Sequence, residues 1–341
     1  MLNESRKIMV NAKNLGWQNY TYSGPTGHRP YFVYTPPDYK LERAVPLIVM
    51  LHGCGQTAAD FAAGTQMNRL ADQYNFIVVY PQQTNMYNQN TCWNWFDHAH
   101  QSRGRGEPAI IAGIVQAIAQ NAAQWTIDTR RIYVAGISAG AAMAVNLGVT
   151  YPDIFAAIGI HSGIEYQAAA TPIGALKAMR QGGPDPVEQG QVAYTAMGAF
   201  ARIVPIIVFH GTRDYIVNSI NGDQVVQQWI QTDILASNGA YQADFNHPTH
   251  TTTDQVPGGR SYTRYRWHNH HGRGVQEYWK VNGMGHGWSG GSPSGTYTDL
   301  EGPGASEAMY RFFIHHPMSR VSFWAKLRRT LANWFKAEAH G

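Results

Sequence analysis

Cysteine is scarce in this chain, which has only Cys54 and Cys92 among its 341 residues. Two cysteines are too few for a disulfide-built scaffold or for a thiolate zinc site. Charged side chains are also sparse, at 14% of the residues, and the formal net charge is only +4. Because the main body has no run of lysine or arginine, nothing in it indicates nucleic-acid binding.

Long apolar segments are missing as well. No stretch of the sequence is long and apolar enough to span a bilayer. The opening residues, MLNESRKIMVNAKNLGW, lack the apolar core of a secretory signal. We therefore expect a cytoplasmic protein, or a secreted or periplasmic one if a leader was removed.

Short apolar runs, by contrast, recur along the chain. They predict buried strands at 45–51, 76–80, 132–136, 156–160 and 204–209. Helical patterns lie between or after them, at 60–73, 110–123, 139–147 and 224–230. Strands that alternate with helices predict an α/β fold with a mostly parallel sheet covered on both faces. Residues 20–22 and 31–35 predict an antiparallel entry to that sheet.

The remaining segments divide the chain into a catalytic domain, residues 1–317, and a tail, residues 318–341. Within the domain, residues 165–202 predict a small cap insertion, and the polar, histidine-rich residues 241–273 predict a hairpin with its turn near 272–274. Wound as a helix, residues 321–336 place phenylalanine, tryptophan and leucine on one face and basic residues on the other. Such a helix suits a polymer granule or a lipid surface, or it docks on its own domain.

One motif carries the chemistry. The sequence Gly-Ile-Ser-Ala-Gly, with Ser138 at its centre, joins a predicted strand directly to a predicted helix. In that context G-x-S-x-G is a nucleophile elbow, a tight turn that lifts the serine hydroxyl clear of the sheet. The helix N-terminus behind it favours developing negative charge. Ser138 is therefore the predicted nucleophile.

A nucleophilic serine needs a base and a carboxylate that orients the base. In the chain order Ser, Asp, His, the acid is predicted at Asp214, after the strand PIIVFHG, and the base at His286, among the glycines of VNGMGHGWSGG. Asp223 is the rival acid, but it looks like a helix N-cap. The rival histidines lie in the hairpin or at its turn, where a solvated or stacking role is favoured over catalysis or metal binding: His268, His270 and His271.

Two backbone N–H groups must also stabilise the oxyanion of the transition state. One is expected from Ala139, immediately after the nucleophile. The other is expected from the loop after an early strand, which reads VMLHGCGQ, and we assign it to the Cys54 amide. This machinery requires no metal and no organic cofactor.

At this point the chain resembles a known family. LHGCGQTAADFAAGTQMNRLAD, YPQQ, CWNWF, GISAGAAMA, YPDIFAAIGIHSG, HGTRDYIV and GHGWSGG follow one another as in the polyhydroxybutyrate depolymerase and feruloyl esterase group of α/β-hydrolases. The resemblance covers roughly residues 20 to 317. It implies an α/β-hydrolase fold, an ester hydrolase with Ser138, Asp214 and His286 as triad, and oxyanion donors at Cys54 and Ala139.

The resemblance also implies finer features. It pairs Cys54 with Cys92 in a disulfide beside the oxyanion loop, which conflicts with a cytosol that keeps thiols reduced. It places Trp288 in the aromatic wall of the substrate cleft, and Trp93 and Trp95 either extend that cleft or belong to the core.

The expected substrate is poly(3-hydroxybutyrate) or oligomers of 3-hydroxybutyrate, hydrolysed through an acyl-enzyme on Ser138. With no signal and no polymer-binding domain, the chain looks like the intracellular branch, and granule association through 321–336 is expected. The alternative is a feruloyl or acetylxylan esterase that acts on plant cell-wall esters. A granule-binding protein with a vestigial site is disfavoured, because the whole catalytic set is intact.

Overall fold

The computed structural model describes residues 16–319. The predicted amphipathic helix over 321–336 lies outside the described residues. Among the residues it describes, no helix is long and apolar enough to cross a membrane.

A ten-stranded sheet runs through the described part of the chain, in the order β1-β2-β4-β3-β5-β6-β7-β10-β9-β8. Its strands are β1 Gly16–Gly24, β2 Gly27–Thr35, β3 Val45–Leu51, β4 Ile77–Pro81, β5 Ile127–Ile137, β6 Ala157–His161, β7 Ile206–Gly211, β8 His250–Gln255, β9 Ser261–His268 and β10 Gly274–Val281. From β4 to β10 neighbouring strands are parallel, and the outer strands on both sides pair antiparallel. The short pair β11 Trp288–Ser289 and β12 Thr298–Asp299 lies beside this sheet.

Eight α-helices accompany the strands between residues 16 and 319. They are α1 Ala58–Thr65, α2 Met67–Tyr74, α3 Gly106–Gln120, α4 Ala139–Thr150, α5 Pro172–Gln181, α6 Pro186–Met197, α7 Ile220–Ala236 and α8 Ala305–Ile314. The helices cover both faces of the sheet, because one buried apolar cluster includes residues of α3 to α7 and a second includes residues of α1, α2 and α8. This confirms the predicted α/β fold with a mostly parallel sheet.

The predicted element bounds hold closely for the central strands and less well for two helices. The single helix predicted at 60–73 is two helices, because Gln66 adopts a left-handed backbone conformation (φ 57°) that ends α1 and begins α2. Asp223 is not an N-cap, since α7 begins three residues earlier at Ile220. Asp223 instead pairs with Lys280, with 2.7 Å between Oδ1 and Nζ.

The segments that interrupt the alternation form elements of their own. Residues 165–202 contain α5 and α6, each of which starts with a proline at its first turn behind a capping side chain, Thr171 or Asp185. Strands β9 and β10 form the expected hairpin, whose turn lies between His268 and Gly274. That turn is at the edge of the sheet where the parallel strand β10 begins.

Candidate active site

Ser138 stands in a strained turn between β5 and α4. Its backbone has φ 56° and ψ −123°, a conformation that non-glycine residues seldom adopt. The flanking glycines are required by close packing: a Cβ on Gly140 would lie 2.1 Å from the carbonyl oxygen of Leu51, and one on Gly136 would lie 2.5 Å from the backbone of Gly140. The elbow therefore brings the serine, the N-terminus of α4 and the end of β3 together.

Asp214 and His286 are joined by a hydrogen bond of 2.7 Å between Oδ2 and Nδ1. The other oxygen of Asp214 accepts the backbone N–H groups of Ile216 and Val217 at 3.0 and 2.8 Å, which fixes the carboxylate. Burial alone would raise the pKa of Asp214, but the hydrogen bond from His286, the nearby histidine charges and the Val217 N–H outweigh burial and lower it. The carboxylate is therefore ionised and oriented toward the imidazole.

The two loops that carry this pair are bonded to each other. Thr212 N–H donates to the carbonyl of Val281 and Arg213 N–H to that of Met284, each at 3.0 Å. Strand β7 ends in a glycine for this reason, since a Cβ on Gly211 would lie 2.2 Å from the Met284 oxygen. The ends of β7 and β10 thus hold Asp214 and His286 in register.

The loop after β3 presents the Gly53–Cys54 peptide to the site. His52 is fully buried, and burial lowers its pKa to about 4, so its ring is neutral at pH 7. Its Nε2 accepts the Gln83 N–H at 3.0 Å, so Nδ1 carries the proton and donates to the Gly53 carbonyl at 2.8 Å. Because the peptide is trans, the Cys54 N–H points away from His52.

The N–H groups of Cys54 and Ala139 are both free to donate to a bound group. Within residues 16–319 neither has a hydrogen-bond acceptor. Ala139 is the first residue of α4, whose terminal N–H groups point out of the helix. Two unsatisfied donors beside Ser138 are what an oxyanion site requires.

The predicted pairing of Cys54 with Cys92 is confirmed, since the two sulfurs form a disulfide. The bridge ties the loop after β3 to the segment after β4. Two hydrogen bonds join the same segments, from Gly55 N–H to the Asn90 carbonyl at 2.9 Å and to the Thr91 hydroxyl at 3.1 Å.

Ser138 and His286 line one small cavity of about 110 Å³. Its other lining residues are Gly53, Cys54, Gln56, Ile137, Met179, Ile216 and Tyr297. Apart from His286, none of these nine residues carries an acidic or basic side chain. The cavity is therefore suited to an uncharged, largely apolar group.

The three tryptophans are buried and do not line the cavity, so Trp288 is not in its wall, and Trp93 and Trp95 take the core position that the sequence left open rather than extending the cleft. Trp288 is 1% exposed, and its indole N–H donates to the Ser306 hydroxyl at 3.0 Å. Trp93 is fully buried, and its indole N–H donates to the His52 carbonyl at 3.1 Å. Trp95 is 6% exposed and packs in the core. Trp93 thus contacts the loop after β3 from within the core, and none of the three tryptophans bounds the cavity.

The cavity wall instead uses side chains to which the sequence analysis gave no role. Ile216 follows two residues after Asp214, and Tyr297 stands edge-on to the His286 ring with 6.3 Å between centroids. Met179 reaches the cavity from α5, the first helix of the predicted cap. Of these three residues only Ile216 could have been predicted from the sequence, because it lies in the same loop as the predicted acid Asp214 and binding residues are often found on such loops.

The rival histidines lie elsewhere. His268 ends β9, and His270 and His271 stand in the turn before β10, at the edge of the sheet opposite the Asp214 and His286 loops. No group of three or more histidine, cysteine, aspartate or glutamate side chains between residues 16 and 319 is arranged to hold a metal ion.

Comparison with solved structures shows the fold class. An acetyl xylan esterase from Aspergillus awamori superposes with a TM-score of 0.68 at 21% identity, covering 88% of this chain and 99% of that one. The fold is that of the α/β-hydrolases.

Sequence comparison shows the family. The Esterase PHB depolymerase family model matches residues 29–248, and the chain belongs to this family of carboxylic ester hydrolases. It is 35% identical over 244 residues to poly(3-hydroxyalkanoate) depolymerase C of Paucimonas lemoignei, covering 71% of this chain and 55% of that protein. It is 34% identical over 214 residues to feruloyl esterase B of Neurospora crassa, covering 61% and 70%. The chain thus spans about half the length of that depolymerase.

Proposed function

We propose that this protein is a serine esterase in which Ser138, His286 and Asp214 form a catalytic triad. The observation that carries the proposal is the Asp214–His286 hydrogen bond behind a cavity that Ser138 and His286 both line. His286, with Nδ1 bonded to the carboxylate, presents Nε2 as the base that takes the serine proton.

The proposed reaction is a two-step acyl transfer. Ser138 attacks the ester carbonyl, and the N–H groups of Cys54 and Ala139 stabilise the oxyanion, at about 3 kcal/mol for each donor. His286 then protonates the departing alcohol, and a water activated by the same histidine releases the acid. Asp214 holds the imidazole in the required tautomer and stabilises its charged form.

For the substrate we propose poly(3-hydroxybutyrate) or its oligomers. Two of the large apolar side chains that remain exposed, Ile216 and Tyr297, line the cavity. Five more exposed ones lie near cavity-lining residues in the chain: Ile173 and Leu176 on α5, which carries Met179, Tyr215 and Ile220 on either side of Ile216, and Leu300 shortly after Tyr297. We call this set the apolar rim. Single exposed apolar residues are ordinary, but a group around a cavity suits a hydrophobic ligand or surface.

A second candidate is an acetylxylan or feruloyl esterase, which the relatives support about equally. The small cavity favours a short acyl group, so acetyl esters fit it as well as 3-hydroxybutyryl esters and better than bulky phenolic esters. We favour the polyester because of the apolar rim, since a hydrated sugar polymer gains less from apolar side chains than a polyester does.

The disulfide changes the proposed location. Disulfides persist in oxidising compartments and are rare in the cytosol, so the cytoplasmic prediction has no support from the structure. We propose that the enzyme works in an oxidising compartment. Surface contact through 321–336 stays a prediction, which deletion of that segment followed by a granule-binding assay would test.

The first experiment compares the wild type with Ser138→Ala on amorphous polyhydroxybutyrate granules, the hydroxybutyrate trimer, acetylated xylan and methyl ferulate. A fluorophosphonate probe should label Ser138, and Ser138→Ala should lose both labelling and turnover while it keeps its circular dichroism spectrum. Substantial hydrolysis by Ser138→Ala would refute the triad.

The second experiment tests the rim with Tyr215→Ser, a side chain that is 86% exposed. Hydrolysis of granules should fall, whereas hydrolysis of a soluble p-nitrophenyl ester should be unchanged. Ile314→Ser is the matched control, because this exposed isoleucine ends α8 away from the cavity. Equal granule hydrolysis by the wild type and Tyr215→Ser, together with preferred release of acetate from xylan, would favour the second candidate.

A further inference from the structure

Gln56 occupies a central position beside the oxyanion loop. It is 2% exposed, yet it lines the cavity. Its side-chain oxygen accepts the Gly53 N–H at 2.9 Å. Its Nε2 donates to Asp60 Oδ2 and to the Thr296 carbonyl, each at 3.0 Å.

The two acceptors of Nε2 fix which way the Gln56 amide faces. A flipped amide would direct its oxygen at a carboxylate and a carbonyl, which offer no proton, and would direct its NH₂ group at the Gly53 N–H. The negative charge of Asp60 therefore forces the Gln56 oxygen toward Gly53. A charge-assisted hydrogen bond of this kind is stronger than one between neutral groups.

The Gly53 residue is thereby held on both sides. His52 binds its carbonyl, and Gln56 binds its N–H. With both neighbouring peptides fixed, the Cys54 N–H has one direction available, away from His52. A donor that is already oriented before the oxyanion forms costs no reorganisation during the reaction.

Asp60 also joins this arrangement to the opposite wall of the cavity. Its Oδ1 accepts the Thr296 N–H at 3.0 Å, and its Oδ2 accepts the Thr296 hydroxyl at 2.5 Å. The next residue, Tyr297, lines the cavity beside His286. One carboxylate thus supports both the oxyanion loop and a wall residue.

We propose that Gln56 is a positioning residue, oriented by Asp60, that sets the direction of the oxyanion donor Cys54 N–H. The inference rests on the proposed function, since it takes Cys54 N–H as a donor to the oxyanion. Gln56 acts through the backbone of Gly53 and does not itself contact the reacting atoms.

Gln56→Glu tests the proposal with almost no change of shape. The new carboxylate can still accept from Gly53, but its second oxygen faces the Asp60 carboxylate and the Thr296 carbonyl with no proton between them, so repulsion moves the side chain away. We expect kcat to fall about 100-fold, as for the loss of an oxyanion donor, with KM changed by less than about threefold. Because a shared proton would remove the repulsion, the ratio of kcat in Gln56→Glu to kcat in the wild type should rise as the pH is lowered.

The double variant Gln56→Glu/Asp60→Asn should recover part of the activity. The side-chain amide introduced at position 60 can donate to the new carboxylate while its oxygen keeps the Thr296 N–H. The repulsion from the Thr296 carbonyl remains, so we expect kcat to rise about tenfold above that of Gln56→Glu without reaching the wild type, although Asp60→Asn alone loses about tenfold. A merely structural role would not give this rescue or the pH-dependent ratio.

Gln82→Ala is the matched control. Gln82 also accepts a backbone N–H nearby, that of Ala58 at 2.6 Å, but it does not line the cavity. It should lower the melting temperature and leave kcat within about threefold. If Gln56→Glu does not fold by circular dichroism, Gln56→Ala replaces it, with an expected loss of about tenfold or more in kcat at constant KM.

The outcomes separate this proposal from the triad. Suppose that Ser138→Ala is inactive but the Gln56 variant that folds, Gln56→Glu or Gln56→Ala, has the kcat of the wild type. The positioning role of Gln56 is then overturned and the triad stands. The same holds if the double variant is no better than Gln56→Glu. If Ser138→Ala keeps its activity, the proposed function itself fails.

Discussion

Removing the disulfide should lower stability far more than it lowers turnover. Cys92→Ala opens a covalent link between residues separated by 38 positions. Loop closure over that separation stabilises the folded state by about 4 kcal/mol through the entropy of the unfolded chain. For a domain of this size each kcal/mol corresponds to about 2 °C, so the melting temperature should fall by roughly 8 °C.

Turnover should be affected less, because other contacts hold the loop. The Gly55 N–H remains bonded to Asn90 and Thr91, and His52 and Gln56 still fix the Gly53 residue. We therefore expect kcat to fall by less than about tenfold, which is under about 1.4 kcal/mol of activation free energy.

Calorimetry and steady-state kinetics on a p-nitrophenyl ester measure the two quantities. The wild type treated with a reductant and the double variant Cys54→Ala/Cys92→Ala are the controls, and both should behave like Cys92→Ala. A melting temperature lowered by less than about 2 °C would refute the stabilisation. A loss of kcat above about 100-fold in folded protein would show that the bridge itself sets the oxyanion geometry.

Three further substitutions have defined outcomes. Asp214→Asn should lower kcat about 10⁴-fold, because the new amide opposes the tautomer that His286 needs. The control variant Asp223→Asn should keep kcat within about twofold of the wild type. Equal effects of the two substitutions in steady-state kinetics would contradict the choice of Asp214 as the acid. Gly140→Ala, whose Cβ would lie 2.1 Å from a backbone oxygen, should lose about 1–3 kcal/mol in urea unfolding together with its turnover, and wild-type values would contradict the close approach. Burial raises the pKa of Glu165 from 4.5 to about 8. Between these pH values the folded state keeps a proton that the unfolded state loses. The free energy of unfolding should therefore fall as the pH rises, by up to about 1.4 kcal/mol per pH unit. Glu165→Gln should reduce that slope in urea titrations, while the buried Asp233 and Glu277, whose pKa values burial also raises, keep their share; an unchanged slope would assign it to another group.

The sheet was the most predictable part of the fold. Strand β3 is buried at all seven positions, so its sequence is a continuous apolar run that no exposed face interrupts. The break between α1 and α2 was not predictable, because it depends on a left-handed backbone conformation at position 66, where the sequence has glutamine rather than the glycine that would indicate it. The start of α7 was missed for a related reason: Ser219, which precedes it, makes no side-chain capping bond.

The positions of the proposed triad were more predictable than the walls of the cavity. Ser138, Asp214 and His286 each follow a strand, so the order of elements brings them to one edge of the sheet. The tryptophans misled because a sequence shows which residues are aromatic but not which are covered, and Trp288 is covered by Phe61 and stacked on His161. Met179 and Tyr297 come from segments distant in sequence, and only tertiary packing places them at the cavity.

The loop after β7 couples the proposed catalytic acid, Asp214, to the surface that the proposed substrate would meet. Its backbone N–H groups at Ile216 and Val217 hold the Asp214 carboxylate, while the side chain of Ile216 lines the cavity and that of Tyr215 is exposed to solvent. A substitution that alters the backbone, such as Ile216→Pro, removes a donor to Asp214 and would change catalysis and substrate choice at once. Tyr215 uses neither its backbone nor its side chain to hold Asp214, so it is the position in this loop at which substrate preference can be changed while the triad stays intact.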